Sequence, residues 1–137
     1  MKKKKITKKE IRRKEKKAAK RAMRELWDKL REEVKKIQSN KCYICNEEVL
    51  GARAHCHHII SREIKSLQYD IQNLVLLCPG DHKLKALSVH KTSILFSELL
   101  RTREPERYNY LLEKIKENNL NNTKTIEINE VKKDGME

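Results

Sequence analysis

Over residues 8–38 the apolar positions Ala19, Ala22, Met23, Leu26, Leu30, Val34 and Ile37 recur at three- and four-residue steps, with no Gly or Pro among them. That spacing gathers them on one face of a helix, and Trp27 widens the stripe. The first half of this helix has little to bury, so it is expected to project or fray while the part from Met23 onward packs. The segment "QSNKC" breaks the period. Alternation and short apolar runs in "ARAHCHHII" and "NLVLL" suit short strands. After Gly80, helical spacing returns through Leu84, Leu87, Ile94, Leu95 and Leu99, with Asp81 placed to cap the start; one helix or two satisfy the pattern equally. "REPERYNYLLEKIKENN" reads as a last helix, with Pro105 near its first turn, Tyr108, Leu111, Leu112 and Ile115 on one face, and asparagines ending it. From Leu120 onward no period is clear, and "TIEINEV" suits an edge strand no better than a disordered polar terminus. The chain therefore reads as an α+β protein in three parts: a basic helical arm at 1–38, a compact domain with C-terminal helices at 39–118, and a polar, flexible tail at 119–137.

Composition narrows the class. With 37% apolar and 4% aromatic residues among 137, there is material for one modest core. The lysines at the N-terminus are not followed by an apolar run, and the longest aliphatic stretch is "LVLLC". Neither a signal peptide nor a membrane span is expected, and the protein is expected to be cytoplasmic. In that compartment Cys42, Cys45, Cys56 and Cys78 are better read as thiols or metal ligands than as disulfides.

The location of the charge says more than its size. Net charge is +13, yet residues 1–36 alone hold 18 Lys and Arg against 6 Asp and Glu, leaving the remainder near neutrality. A near-neutral domain with a strongly positive arm points to a polyanion, and to nucleic acid before anionic membrane, because the arm's first half lacks apolar surface to insert. Arg12, Arg13, Lys17 and Arg21 are its candidate phosphate contacts. A solvated, solubilising extension is the plain alternative.

Chemistry concentrates between residues 42 and 85. Cys42 and Cys45 form C-x-x-C, a spacing that brings two thiolates to one tetrahedral zinc. Cys78 and Asp81 repeat the spacing 33 residues on, with a carboxylate where a fourth thiolate would be expected. Three cysteines and an aspartate make a weaker zinc site than four cysteines; Cys56 is a rival fourth ligand, and small buried hydrophobes with no zinc are the bland reading. Of five histidines, His55, His57 and His58 fall within four consecutive positions. Burial alone would rarely favour this, because neutral imidazoles still need hydrogen-bond partners.

The order "CYIC", "HHII", "NLVLLCPGDHKLK" resembles the HNH endonuclease family, also called ββα-metal or His-Me finger nucleases, over about residues 42–85. Asp81 departs from the family's second cysteine pair. "HCHHIISR … LQYDIQN" is also similar to the NinG/Rap phage recombination nucleases, which implies a prokaryotic or phage-infected cell. The family resemblance implies a ββα-metal finger that hydrolyses DNA phosphodiester bonds. It implies His58 as general base, His57 and His82 as ligands of a catalytic divalent cation, and Asn73 as a clamp on the histidine loop. The chemistry is coherent in itself, since phosphodiester hydrolysis needs a base for the attacking water and a cation for the phosphate and leaving oxygen. With imidazole ligands and no carboxylate, Mn²⁺, Co²⁺ or Ni²⁺ should serve at least as well as Mg²⁺.

His55, on the face of His57, reads as a third ligand, a supporting partner of the ligands, or a structural histidine. His90, eight residues beyond His82, reads as a surface histidine. Arg62 and Lys85 are placed for phosphate contact or for plain exposure. One such site nicks one strand, so cutting both strands, or a branched junction, would take two copies of the chain, for which the stripe at 23–37 offers a dimer face. Two rivals stand beside the DNA nuclease: a non-catalytic zinc-containing nucleic-acid-binding protein, and an RNA nuclease with the same site.

Overall fold

The computed structural model describes residues 6–134, with side chains through residue 122. Thr7 opens the first helix, α1 (Lys8–Ile37), through a reciprocal cap: its hydroxyl accepts from the Glu10 amide while the Glu10 carboxylate accepts from the Thr7 amide. Residues 6–26 are exposed, and these include Met23 and Leu26, which the apolar stripe placed in the packing; Trp27, Leu30 and Val34 carry the helix onto the core, and Ile37 is exposed. Gln38 ends the helix and anchors it. Its side-chain amide donates to the Leu76 carbonyl at 3.0 Å and accepts from the Leu76 amide at 2.8 Å, pairing with β2 (Leu74–Leu77) as a neighbouring strand would.

β1 (His55–His58) runs antiparallel to β2, with His55 opposite Leu77 and His58 opposite Leu74. Every residue of β2 is buried, as an apolar run covered on both faces requires. Before β1, the chain folds back in a tight knuckle. Cys42 donates its amide to Glu47 O at 2.9 Å, Asn46 takes a left-handed conformation (φ 61°), and Lys41 bridges to Glu48. Asparagine tolerates that conformation better than most residues.

The segment after β2 departs from the sequence pattern. Gly80–Leu84 forms a single wide turn, closed by the Lys85 amide on Gly80 O at 2.9 Å, and regular helix resumes only at α2 (Ser93–Arg103). Asp81 therefore caps no helix; its carboxylate turns inward to the cysteines. α3 (Pro105–Asp134) runs past the asparagines expected to stop it and through "TIEINEV", so that segment is helical and adds no edge strand.

Two apolar clusters result, one around β2 with Val34, Val49, Val89 and Phe96, the other joining Leu67, Leu100 and Leu111. Arg107 of α3 stitches them by donating to Gln72 O at 2.7 Å and Leu74 O at 2.6 Å, the carbonyls on either side of Asn73. No described helix is long and apolar enough to cross a membrane.

Candidate active site

The site is built on the hairpin and the wide turn. Asn73 is fully buried, and its side chain spends all its hydrogen-bonding capacity on backbone. Oδ1 accepts from the Ile60 amide at 2.7 Å; Nδ2 donates to Ile60 O at 2.9 Å and Leu67 O at 3.0 Å. The loop leaving β1 is thereby tied to the start of β2. That arrangement uses both donors and the acceptor of an asparagine, and no other side chain of that size offers them.

His57 and His58 point to opposite sides of β1, as strand alternation dictates. The imidazole of His58 stacks on Trp27, with ring centroids 5.0 Å apart and planes 5° from parallel, while Tyr69 meets Trp27 edge-on. Nε2 of His58 lies 2.9 Å from Gln68 O. A carbonyl only accepts, so Nε2 carries the proton and Nδ1 presents its lone pair.

On the other side of the strand, ring nitrogens of His57, His82 and His90 all lie within 4.8 Å of one another. His90 is exposed, as expected of it, yet it belongs to this cluster: its Nε2 is 3.0 Å from Nε2 of His82. The wide turn brings it there, with the Val89 amide bonded to Asp81 O and the His90 amide to His82 O. His55 contributes differently. Its Nδ1 sits 2.9 Å from Nδ1 of His82, so it touches the far nitrogen of that ring and stands outside the group of three.

Burial, aided by the charges of His82, His90, His58 and Lys83, pushes His57 down to about 3. Burial, with the charges of His90, His55 and Lys83, pushes His82 down to about 4. At neutral pH both rings are uncharged and have lone pairs to give, which is the state a metal ligand needs. The three nitrogens thus fit a divalent cation of intermediate softness, and three imidazoles without a carboxylate suit a transition metal better than magnesium.

A second cluster lies across the same turn. Cys42, Cys45, Cys78 and Asp81 bring their ligand atoms within 4.8 Å of one another. Asp81 Oδ2 is 3.3 Å from the sulfurs of both Cys42 and Cys78, and the sulfurs of Cys45 and Cys78 are 3.8 Å apart. Cys56 takes no part; it packs against the core from β1, so it is not the fourth ligand. Burial raises the Asp81 carboxyl, but hydrogen bonds from Cys45, Lys85, Cys42 and Cys78 outweigh it and hold the group down to about 2. Burial and hydrogen bonding to Asp81 push the Cys45 thiol up to about 12, and burial raises that of Cys42. Three sulfurs and a carboxylate oxygen converging on one point suit tetrahedral zinc.

Lys85 is exposed, and its ammonium lies 2.9 Å from Asp81 Oδ1, an ion pair that the sequence did not reveal and that ties it to the edge of the cysteine cluster. Lys83, which the sequence did not single out, is exposed, and its charge acts on both His57 and His82. Arg62 is exposed. Arg12, Arg13, Lys17 and Arg21 are exposed along α1, and Arg21 pairs with Glu25 at 3.0 Å. Trp27 was read as part of a packing stripe, and only the structure reveals that its ring lies on His58.

A two-stranded hairpin, a buried asparagine clamping its loop and a histidine-bearing turn after the second strand define a compact finger with room for metal. Residues 42–86 match the family model described as HNH endonuclease, so over that span the chain is similar to that family. The match supports a nuclease-type function in general. No curated protein and no solved structure matches the chain.

Proposed function

We propose that this protein is a metal-dependent endonuclease that hydrolyses DNA phosphodiester bonds. The observation that carries the reading is the convergence of the His57, His82 and His90 ring nitrogens, beside a strand whose next residue, His58, has its lone pair fixed by Gln68 O. His57, His82 and His90 would hold the cation. A divalent cation there would neutralise charge on the phosphate and on the departing 3′ oxygen.

The chain's own residues account for the remainder. His58 accepts the proton of the attacking water at Nδ1, with Gln68 O fixing the ring's tautomer and Trp27 fixing its plane. Asn73 keeps the histidine loop closed on β2. With a cation bound, His55 would accept the Nδ1–H of His82, and Nε2 of His82, which faces Nε2 of His90, would turn its lone pair to the metal, a division of labour common among metal-binding histidines. Lys83, exposed beside the histidine cluster, meets the phosphate together with or in place of Lys85. The arm, through Arg12, Arg13, Lys17 and Arg21, supplies sequence-independent affinity by counterion release. Zinc among Cys42, Cys45, Cys78 and Asp81 would brace the knuckle and the turn.

Cleavage of supercoiled plasmid tests the reading. Nicking with Mn²⁺, none with EDTA, and loss in His58→Ala with plasmid binding retained are the expected results. Folded protein that binds plasmid and leaves it intact under every divalent cation would overturn it.

A further inference from the structure

A cavity of about 360 Å³ opens beside His57, in the groove between the loop leaving β1 and α2. Its volume falls in the range of small-ligand sites. Phe96 and Leu100, both buried, form its floor, and Ile59 and Ile60 form one wall. The opposite wall is α2, where Ser93 and Ser97 stand one turn apart and Ile94 is 74% exposed at the rim. A half-open groove with apolar side chains on its floor and hydroxyls along one side has room for a partly polar ring system, and an isoleucine left in water at its rim gains by covering one.

The position of the slot selects among ring ligands. His57 lines the cavity and also belongs to the histidine cluster, so a molecule in the slot adjoins whatever the cluster holds. Under the function proposed above, on which this inference rests, that neighbour is the scissile phosphate. The ring within reach of a scissile phosphate is the base of an adjacent nucleotide, and it can enter only if it leaves the stack.

We infer that the slot between Ile59–Ile60 and α2 receives an unstacked nucleobase next to the cut, so the substrate is DNA with an unpaired nucleotide at the cleavage site. Extruding a paired base costs a few kcal/mol that an unpaired one does not. Bulges, mismatches and junction branch points are therefore taken in preference to perfect duplex.

The test uses the full chain and two duplexes, one with a single unpaired 2-aminopurine, the other fully paired with 2-aminopurine at the same position. Binding is measured by anisotropy in Ca²⁺ without added transition metal, with cleavage checked on a gel and the zinc content of the protein left undisturbed. The unpaired duplex should bind about tenfold tighter or more, with a change in 2-aminopurine emission. Ser97→Phe, at an exposed position, fills the slot and should bring the two affinities together without weakening the paired duplex. Ile94→Ser, at the exposed rim, should reduce the preference in the same direction without disturbing the fold. Equal affinities and unchanged emission in the natural chain overturn the inference, as does a preference that survives both substitutions. Mn²⁺ then separates the two readings. Preferential binding without cutting sinks the nuclease and leaves the slot, whereas equal binding with equal cutting does the reverse.

Discussion

Trp27 lies flat on the imidazole of His58, so the helix that carries the basic arm also fixes the plane of one histidine on the hairpin. The two residues are 31 positions apart in sequence, and the contact crosses from α1 to β1. An aromatic stack of this kind is worth about 0.5–1.5 kcal/mol beyond buried area. Trp27→Leu keeps apolar bulk and removes the stack. It should slow nicking up to about tenfold, with plasmid affinity unchanged and with Trp27→Phe recovering part of the loss. A Leu variant that cuts at the full rate sinks the positioning role.

Asn73→Ala removes the side-chain partner of the half-buried Ile60 amide and carbonyl, and leaves the buried Leu67 carbonyl only its 3.4 Å contact with the Asp70 amide. A buried polar group left unsatisfied costs about 1–3 kcal/mol. The melting temperature should fall by several degrees at least, and nicking should fall further than the unfolded fraction explains. Asn73→Asp turns a carboxylate toward both carbonyls at a fully buried position and should cost at least as much as Asn73→Ala at neutral pH. Calorimetry beside plasmid nicking separates the two effects.

Acid should weaken the metal-free protein in a definite window. His57 and His82 are held from the ordinary 6.5 down to about 3 and about 4. Below pH 6.5 the unfolded chain takes up protons at these rings while the folded chain does not, so stability falls as pH drops from 6.5 toward 4. Above 6.5 neither ring contributes. Asp81 acts lower, its stabilisation being complete above 3.8 and lost toward about 2. Melting temperature against pH in EDTA should show the upper decline, and Mn²⁺ should raise it most where the rings are neutral. A flat curve between 6.5 and 4 contradicts the burial of these histidines.

Metal preference follows from donor type. Three imidazoles favour Mn²⁺, Co²⁺ or Ni²⁺ over Mg²⁺, so the Mn²⁺ rate should equal or exceed the Mg²⁺ rate. His90→Ala should raise the Mn²⁺ concentration giving half-maximal nicking by about tenfold, the loss typical of a weakened metal site. Strong Mg²⁺ activity with none in Mn²⁺ removes this assignment.

Exchange of the odd ligand tests the cysteine cluster. Asp81→Cys replaces a carboxylate by a thiolate, the softer donor, and should tighten zinc by tenfold or more in competition with a chromogenic chelator. Asp81→Ala should loosen it. Zinc loading should also release protons, since the thiols of Cys42 and Cys45 are held protonated without it. Equal zinc affinity in all three chains would mean that Asp81 is no ligand.

What could be read from the sequence was what is local. The spacing of Cys42 and Cys45, the run His55–His58 and the position of Asn73 lie within motifs of a few residues, where backbone geometry leaves little choice. The α1 stripe was legible because 30 residues of one period average out single exceptions. Misreadings came where a short stretch could satisfy two periods. Leu84 and Leu87 fit a helix, yet the chain makes a wide turn at Gly80–Leu84 and regular helix begins only at Ser93, so Ile94, Leu95 and Leu99 lie in α2 as their spacing implies while His90 comes back to His82 and Lys85 onto Asp81. The α3 helix continued through asparagines that were read as its end, because individual weak helix formers do not stop a helix. Nothing in the sequence pairs Trp27 with His58, or Arg107 with the carbonyls flanking Asn73, since those contacts depend on tertiary packing alone.

Asp81 and His82 are consecutive residues on one turn, yet one faces three sulfurs and the other faces three imidazoles. The division rests on register. Deleting one residue between Cys78 and Asp81 would rotate both side chains together and point each toward the wrong partners. The turn behaves as the shared wall of two rooms: it cannot be moved to enlarge one without shrinking the other. Substitutions that improve the sulfur site should therefore be constrained by the histidine site, and the two must change in concert or not at all.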